Sequence, residues 1–209
     1  MRFSPVNLAV LVSGSGTTLQ NFVDQIAANA LDARIKLVIG SRAELLAMKR
    51  AEDARLEREI VDRKSFDDVA SFSRRLFELI DRAGVDLVCL AGWLCLLVVP
   101  PRWANRIMNI HPALLPSFGG RGMYGPKVHQ AVLDQGCKVS GCTVHFVDAM
   151  YDTGPIIIQR TCPVLDDDTA ESLAHRVFEE ETIAYPKAIE LFAQGRLRIE
   201  GRRVRVTSQ

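Results

Sequence analysis

Three things are scarce in this 209-residue sequence: long apolar runs, an excess of either charge, and paired cysteines. The longest apolar stretch, Val85 to Pro101, is broken by Asp86 and Gly92 and falls short of the roughly 20 residues a membrane helix needs. No apolar amino-terminal segment is joined to a cleavage site, so export is not expected and a cytoplasmic setting is. Lys plus Arg number 26 against 25 Asp plus Glu, which leaves no global field to attract nucleic acid or an anionic membrane. An anionic ligand must therefore be captured locally. The five cysteines, Cys89, Cys95, Cys137, Cys142 and Cys162, are odd in number and form no CxxC pair. That suits a reducing compartment, with most of them serving as small buried hydrophobes. No His/Cys cluster has metal-ligand spacing, and no cysteine stands beside an activating base, so neither a metal nor a covalent nucleophile is expected.

What is present is ordinary globular material, 48% hydrophobic and 24% charged, enough for one sizeable core. The pattern predicts a single α/β domain over 1–209, with a mixed, mostly parallel sheet flanked by helices. Residues 1–100 make a phosphate-binding half and 101–209 a half that carries the chemistry.

An apolar strand from Asn7 to Val12 leads into Ser13-Gly14-Ser15-Gly16-Thr17-Thr18. A helix follows with Leu19, Phe22, Val23, Ile26 and Ala30 at helical spacing. Glycines let the backbone approach an anion, and the free N–H groups of the helix start can hold it. Here too the absences matter. No lysine follows as in a nucleoside-triphosphate loop, the third glycine of the dinucleotide fingerprint is missing, and the strand Ile35 to Ile39 ends without an acidic residue. A monophosphate fits better than NAD.

Arg63 follows a short strand, Glu59 to Val61, at the edge where open α/β sheets bind ligands, although a solvated arginine is an equal reading. Ser65-Phe66-Asp67-Asp68 resembles a capping box for a helix with Val69, Phe72, Leu76, Leu79 and Ala83 inward. The strand Asp86 to Ala91 runs into Leu94-Cys95-Leu96-Leu97, a loop too apolar for a plain surface turn. It either packs inside or lines a pocket for a flat ligand.

Met108-Asn109-Ile110-His111-Pro112 reads as a strand end on which Asn109 and His111 share one face. An amide donor beside a titratable ring suits carbonyl chemistry. The four glycines between Gly119 and Gly125 form a flexible loop, read as a lid, and a short helix from Lys127 to Leu133 carries His129 near its start. Val139 to Val147 and Ile156 to Thr161 form an antiparallel pair around Asp148-Ala149-Met150-Tyr151-Asp152. Asp152 is either an ordinary Asx turn or the carboxylate that orients His111. In the last helix Glu181 falls on the apolar stripe of Leu173, Val177, Ala184, Ala188 and Leu191, a costly place for an unpaired carboxylate. A basic hairpin, Leu197 to Val206, closes the chain.

Taken in order, Ser13-Gly14-x-Gly16, Leu90-Ala91-Gly92, Asn109-Ile110-His111-Pro112-x-Leu114-Leu115-Pro116 and Gly141-x-Thr143-Val144-x-Phe146-Val147 with Asp152-x-Gly154-Pro155 resemble the phosphoribosylglycinamide formyltransferases. These are folate-dependent purine enzymes of Rossmann-like fold. The resemblance implies transfer of a formyl group from 10-formyltetrahydrofolate to the amine of glycinamide ribonucleotide. It implies small-molecule partners only, without nucleic acid or membrane, and leaves a homodimer open. It also implies that Asn109 holds the formyl oxygen, that His111 is charged stabiliser and proton donor, and that Asp152 raises the imidazole pKa. Gly16, Thr17 and Thr18 match a phosphate cradle, Arg63 an arginine at the ligand edge, and Glu181 an acid that binds the ribonucleotide. Leu94, Cys95, Leu96 and Leu97 match one folate loop, and Asp148, Ala149, Met150, Tyr151 and Asp152, with Asn109, the other. The chain departs from the family at Cys95 and Phe178, where relatives carry basic residues. Rival expectations are a formyltetrahydrofolate hydrolase or a tRNA formylase of the same fold, both of which usually carry an extra domain, and a noncatalytic nucleotide-binding domain.

Overall fold

The computed structural model describes residues 5–208. They fall into two compact units, one ending at Met108 and one beginning at Asn109. Among the described residues the architecture is α/β, with a mixed, mostly parallel sheet and five α-helices.

In the first unit, β1 (Val6–Val12), α1 (Thr17–Ala27), β2 (Ala33–Gly40), α2 (Leu46–Asp53), β3 (Arg58–Ile60), α3 (Val69–Ala83) and β4 (Leu87–Ala91) alternate. β1 pairs in parallel with β2 on one side and β4 on the other, and β3 extends the sheet beyond β2. Every residue of β4 is buried, as is all of β1 except Asn7, as strands covered on both faces require. α3 presents Phe72, Leu76, Phe77, Leu79 and Ile80 to the interior and stops at Gly84, which adopts the left-handed conformation at φ 62°.

Two local expectations are corrected here. The cap of α3 is Asp68, whose side chain accepts from Ser71 N at 2.6 Å, while Ser65 belongs to a 3₁₀ turn, Arg63–Ser65, capped by Asp62. A carboxylate three residues before a free N–H outcompetes the Ser65 hydroxyl, which would have to cap over Asp67 and Asp68. Helix α1 ends at Ala27, so Ala30 lies outside it and is exposed. The chain reverses at Asn29, φ 56°, before β2.

In the second unit, β5 (Ile107–His111) enters from the first. It is followed by α4 (Pro126–Asp134), β6 (Val139–Phe146), β7 (Ile156–Pro163), α5 (Ala170–Ala193), β8 (Leu197–Glu200) and β9 (Arg203–Val206). β6 and β7 are antiparallel, as the short connection demanded, and β8 and β9 form the terminal hairpin. At its tip Arg202 Nη2 donates to the Thr153 carbonyl at 3.0 Å, so the hairpin braces the β6–β7 connection. α5 packs on β6, β7 and α4. Its Thr169/Ser172 capping box fixes the start, and Leu173, Val177, Ala184, Ala188 and Leu191 are buried as the periodicity predicted.

Candidate active site

The second unit gathers the residues with the most chemical potential. Strand alternation points Asn109 and His111 the same way, and the β6–β7 connection brings Asp152 onto both. One carboxylate oxygen, Asp152 Oδ2, lies 3.5 Å from His111 Nδ1 and accepts from Gly120 N at 2.9 Å. The other, Oδ1, lies 3.4 Å from Asn109 Nδ2 and 3.6 Å from His145 Nε2. The Asx turn of this connection belongs to Asp148, whose Oδ1 accepts from Met150 N and from Thr153 Oγ1. Asp152, at φ 57°, is thereby free to serve the site. Met150 is 65% exposed, Ala149 is exposed, and Tyr151 is half-buried.

The His–Pro segment is held by Thr143 on β6. Its hydroxyl donates to Ala113 O at 2.7 Å and accepts from Leu115 N at 3.0 Å, which fixes the turn directly after His111. Gly154 is required for a steric reason. A Cβ there would stand 1.8 Å from the Phe146 carbonyl oxygen, so only glycine lets the Asp152 turn close on β6. The glycine-rich loop is anchored at its start, where Gly120 donates to Asp152 and the Phe118 carbonyl accepts from His111 Nε2 at 2.8 Å.

The electrostatics follow from burial. His111 is 4% exposed, and desolvation lowers its pKa below the ordinary imidazole value, although Asp152 and the Phe118 carbonyl push the other way. The expected upward pull of Asp152 is therefore real but smaller than the cost of burying the charge. Burial also opposes ionisation of Asp152. Contact with His145, the nearby His111 and the Gly120 N–H together outweigh it, and the carboxyl stays below its usual range. Glu181 on α5 is half-buried, and desolvation alone pushes its pKa up to about 8. Buried Cys142 lies within the field of Glu181, and its thiol is raised to about 12, chiefly by burial, so it is inert.

Two residues to which sequence reasoning gave no role belong to this group. His145 touches both Asn109 and Asp152. His129 on α4 is 4% exposed, leaves Nδ1 without a hydrogen-bond partner among the described residues, and is lowered by burial and then by His111. The available signal was a histidine at an inward position of a periodic apolar element.

In the first unit, Gly16 caps α1 in the left-handed conformation, φ 76°, and a Cβ there would stand 2.6 Å from Ala47 Cβ. The first turn of α1 has no side-chain cap and no acidic residue, so the N–H groups around Thr17 and Thr18 are available to an anion. Leu94 N donates to Ser13 Oγ at 3.4 Å, tying the apolar loop to this turn. Leu97 is buried, Cys95 and Leu96 are half-buried and Leu94 is 44% exposed, so the loop both packs inward and offers surface. Arg63 donates to Phe66 O at 2.7 Å and lies over the Phe72 ring, and its charge reaches Cys95. These positions are at the carboxyl ends of β1, β3 and β4. Among the described residues no group of His, Cys, Asp or Glu could hold a metal ion, and no helix is long and apolar enough to cross a membrane.

An α/β fold with a carboxylate, an imidazole and an amide converging at a strand end has groups able to manage charge on a carbonyl-derived oxygen. Residues 6–189 match the formyl transferase family, and the chain belongs to it. It is 34% identical over 195 residues to the phosphoribosylglycinamide formyltransferase of Haemophilus influenzae, covering 92% of this chain and 90% of that protein. The glycinamide ribonucleotide transformylase 1 structure from Symbiobacterium toebii matches with a TM-score of 0.91 and 43% identity, covering 99% of this chain and 96% of that one. The trifunctional purine biosynthetic protein adenosine-3 of Gallus gallus is 37% identical over 196 residues, which are 93% of this chain. The chain spans only 19% of that larger protein's length.

Proposed function

We propose that the chain is a phosphoribosylglycinamide formyltransferase, acting as one formyltransferase domain in the cytoplasm. It moves the formyl group of 10-formyltetrahydrofolate to the amine of glycinamide ribonucleotide. The observation that carries this reading is Asp152 reaching the His111 ring at 3.5 Å with Asn109 on the same carboxylate.

The chemistry follows from those contacts. Attack of the substrate amine on the formyl carbon forms a C–N bond and a tetrahedral oxyanion. Burial keeps His111 neutral at rest, with Nε2–H donating to Phe118 O, so Nδ1 is the nitrogen left to take the amine proton. Asp152 Oδ2 then stabilises the imidazolium. The charged ring and an Asn109 N–H hold the oxyanion, and the proton passes to the folate nitrogen as its bond to the formyl carbon breaks. The charge on His111 is thus acquired during the reaction.

Gly16, Thr17 and Thr18, with Arg63 at the same strand ends, serve the phosphate, and Glu181 the ribose. Leu94, Cys95, Leu96, Leu97 and 148–152 serve the folate. Purified protein is expected to release tetrahydrofolate from the formyl cofactor only when glycinamide ribonucleotide is present. Comparable turnover with water alone, giving formate, would instead establish a hydrolase. Sedimentation velocity reads whether the active species is a homodimer.

The pH dependence of Glu181 has a definite sign. Its folded-state pKa of about 8 lies above the 4.5 of an unperturbed glutamate, so the folded state binds the proton more tightly. This stabilising contribution is complete below the unfolded value and is lost as pH rises through the folded one, between about pH 4.5 and pH 8. Melting curves of Glu181→Gln are therefore expected to gain on wild type progressively across that range. A constant difference would place the carboxyl in water.

A further inference from the structure

His145 has no assigned role, yet both of its ring nitrogens are committed within the site. Nδ1 lies 2.8 Å from the carbonyl of the next residue, Phe146, and must donate to it. The ring then carries its proton on Nδ1 and a lone pair on Nε2, which faces Asn109 Nδ2 at 3.1 Å. A strand irregularity produces this aim. The β6–β7 register slips between Val144 and His145, and such bulges redirect side chains beside sites. Gly154 packs on the Phe146 carbonyl and holds the acceptor in place. His145 is 2% exposed, so water does not compete for these bonds.

Asn109 pays for this with one of its two amide protons. The other points along the longer, 3.4 Å contact to Asp152 Oδ1 and is the one that can be surrendered. Were the amide turned over, its oxygen would face the Nε2 lone pair, acceptor against acceptor. Only one orientation survives.

We propose that His145 is the positioning residue for Asn109: as the Nδ1–H tautomer it anchors one amide proton and so keeps the second directed at the oxygen of the formyl group. This rests on the formyl-transfer reading above and adds the residue that sets the orientation of its oxyanion donor. His111, Asp152 and Asn109 are the polar groups around the ring, and His145 acts through the last of these without touching the reacting atoms.

The test compares His145→Leu, which keeps bulk and removes the acceptor, with His145→Gln, whose amide oxygen can receive the Asn109 N–H. For His145→Leu, kcat is expected to fall by about 10- to 100-fold, with each KM changing less than about 3-fold, because a donor that swings is lost mainly in the transition state. His145→Gln is expected to recover most of the loss. Nitrogen-15 spectra of histidine-labelled wild type should show His145 with its proton on Nδ1, a readout independent of turnover. Equal losses in the two variants, or a proton on Nε2, would overturn the proposal. If His145→Leu does not fold, the tautomer and the His145→Gln turnover decide. Wild type that lacks formyl transfer would refute the functional reading while leaving the tautomer measurement to judge the geometry.

Discussion

Asp152→Asn is expected to lower kcat for formyl transfer by about 10³- to 10⁴-fold while the protein stays folded, the scale seen when an orienting carboxylate beside a catalytic imidazole becomes an amide. Four groups share this side chain: His111, His145, Asn109 and the Gly120 N–H. An amide has one oxygen for these neighbours where the carboxylate has two, so either the Gly120 N–H or the Asn109 N–H loses its acceptor. It also carries no charge to stabilise the imidazolium. With the opposing pull of Asp152 removed, burial lowers His111 further, so the ring takes the amine proton less readily at every pH. Single-turnover kinetics across a pH series checks this. A variant retaining more than about a tenth of wild-type kcat would remove Asp152 from the proton path.

Gly154→Ala should be among the most damaging small substitutions in the second unit. The added methyl would stand 1.8 Å from Phe146 O and 2.8 Å from its carbon, both backbone atoms of β6 that cannot rotate away. The strand pair must part locally, at a cost of about 3 kcal/mol or more. For a chain of this size that lowers Tm by roughly 6–12 °C. Turnover should fall as well, because the displaced carbonyl is the one that accepts from His145 Nδ1. Gly14→Ala is the control for stability, since a Cβ there meets nothing within 4 Å. Calorimetry of the two variants separates the outcomes, and equal melting temperatures would mean that the β6–β7 connection yields easily.

Much of this architecture was legible from local pattern. β4 is a continuous apolar strand, α5 presents the stripe its spacing announced, and β6 and β7 pair across a connection too short for a crossover. The shared face of Asn109 and His111 follows from strand alternation alone. The cap at Asp68 was misread because Ser65 and Asp68 are both competent caps, and only the observed 3₁₀ turn at Arg63–Ser65 separates them. His145 escaped notice for a different reason. A histidine inside an apolar strand looks like a satisfied core residue until the bulge beside it is known.

Chemistry and spacing along the chain thus determined the alternating α/β plan, the glycine turn ahead of an uncapped helix, and the identity of Asn109 and His111 as a pair. These depend on backbone periodicity and on residue types, which are local properties. Only the tertiary structure decided which of Asp148 and Asp152 makes the turn and which meets the imidazole, and that His145 stands between amide and carboxylate. It also decided that burial outweighs Asp152 in setting the charge of His111. Each of those depends on distances between residues far apart in sequence, and on how much water the packed chain leaves around a charge.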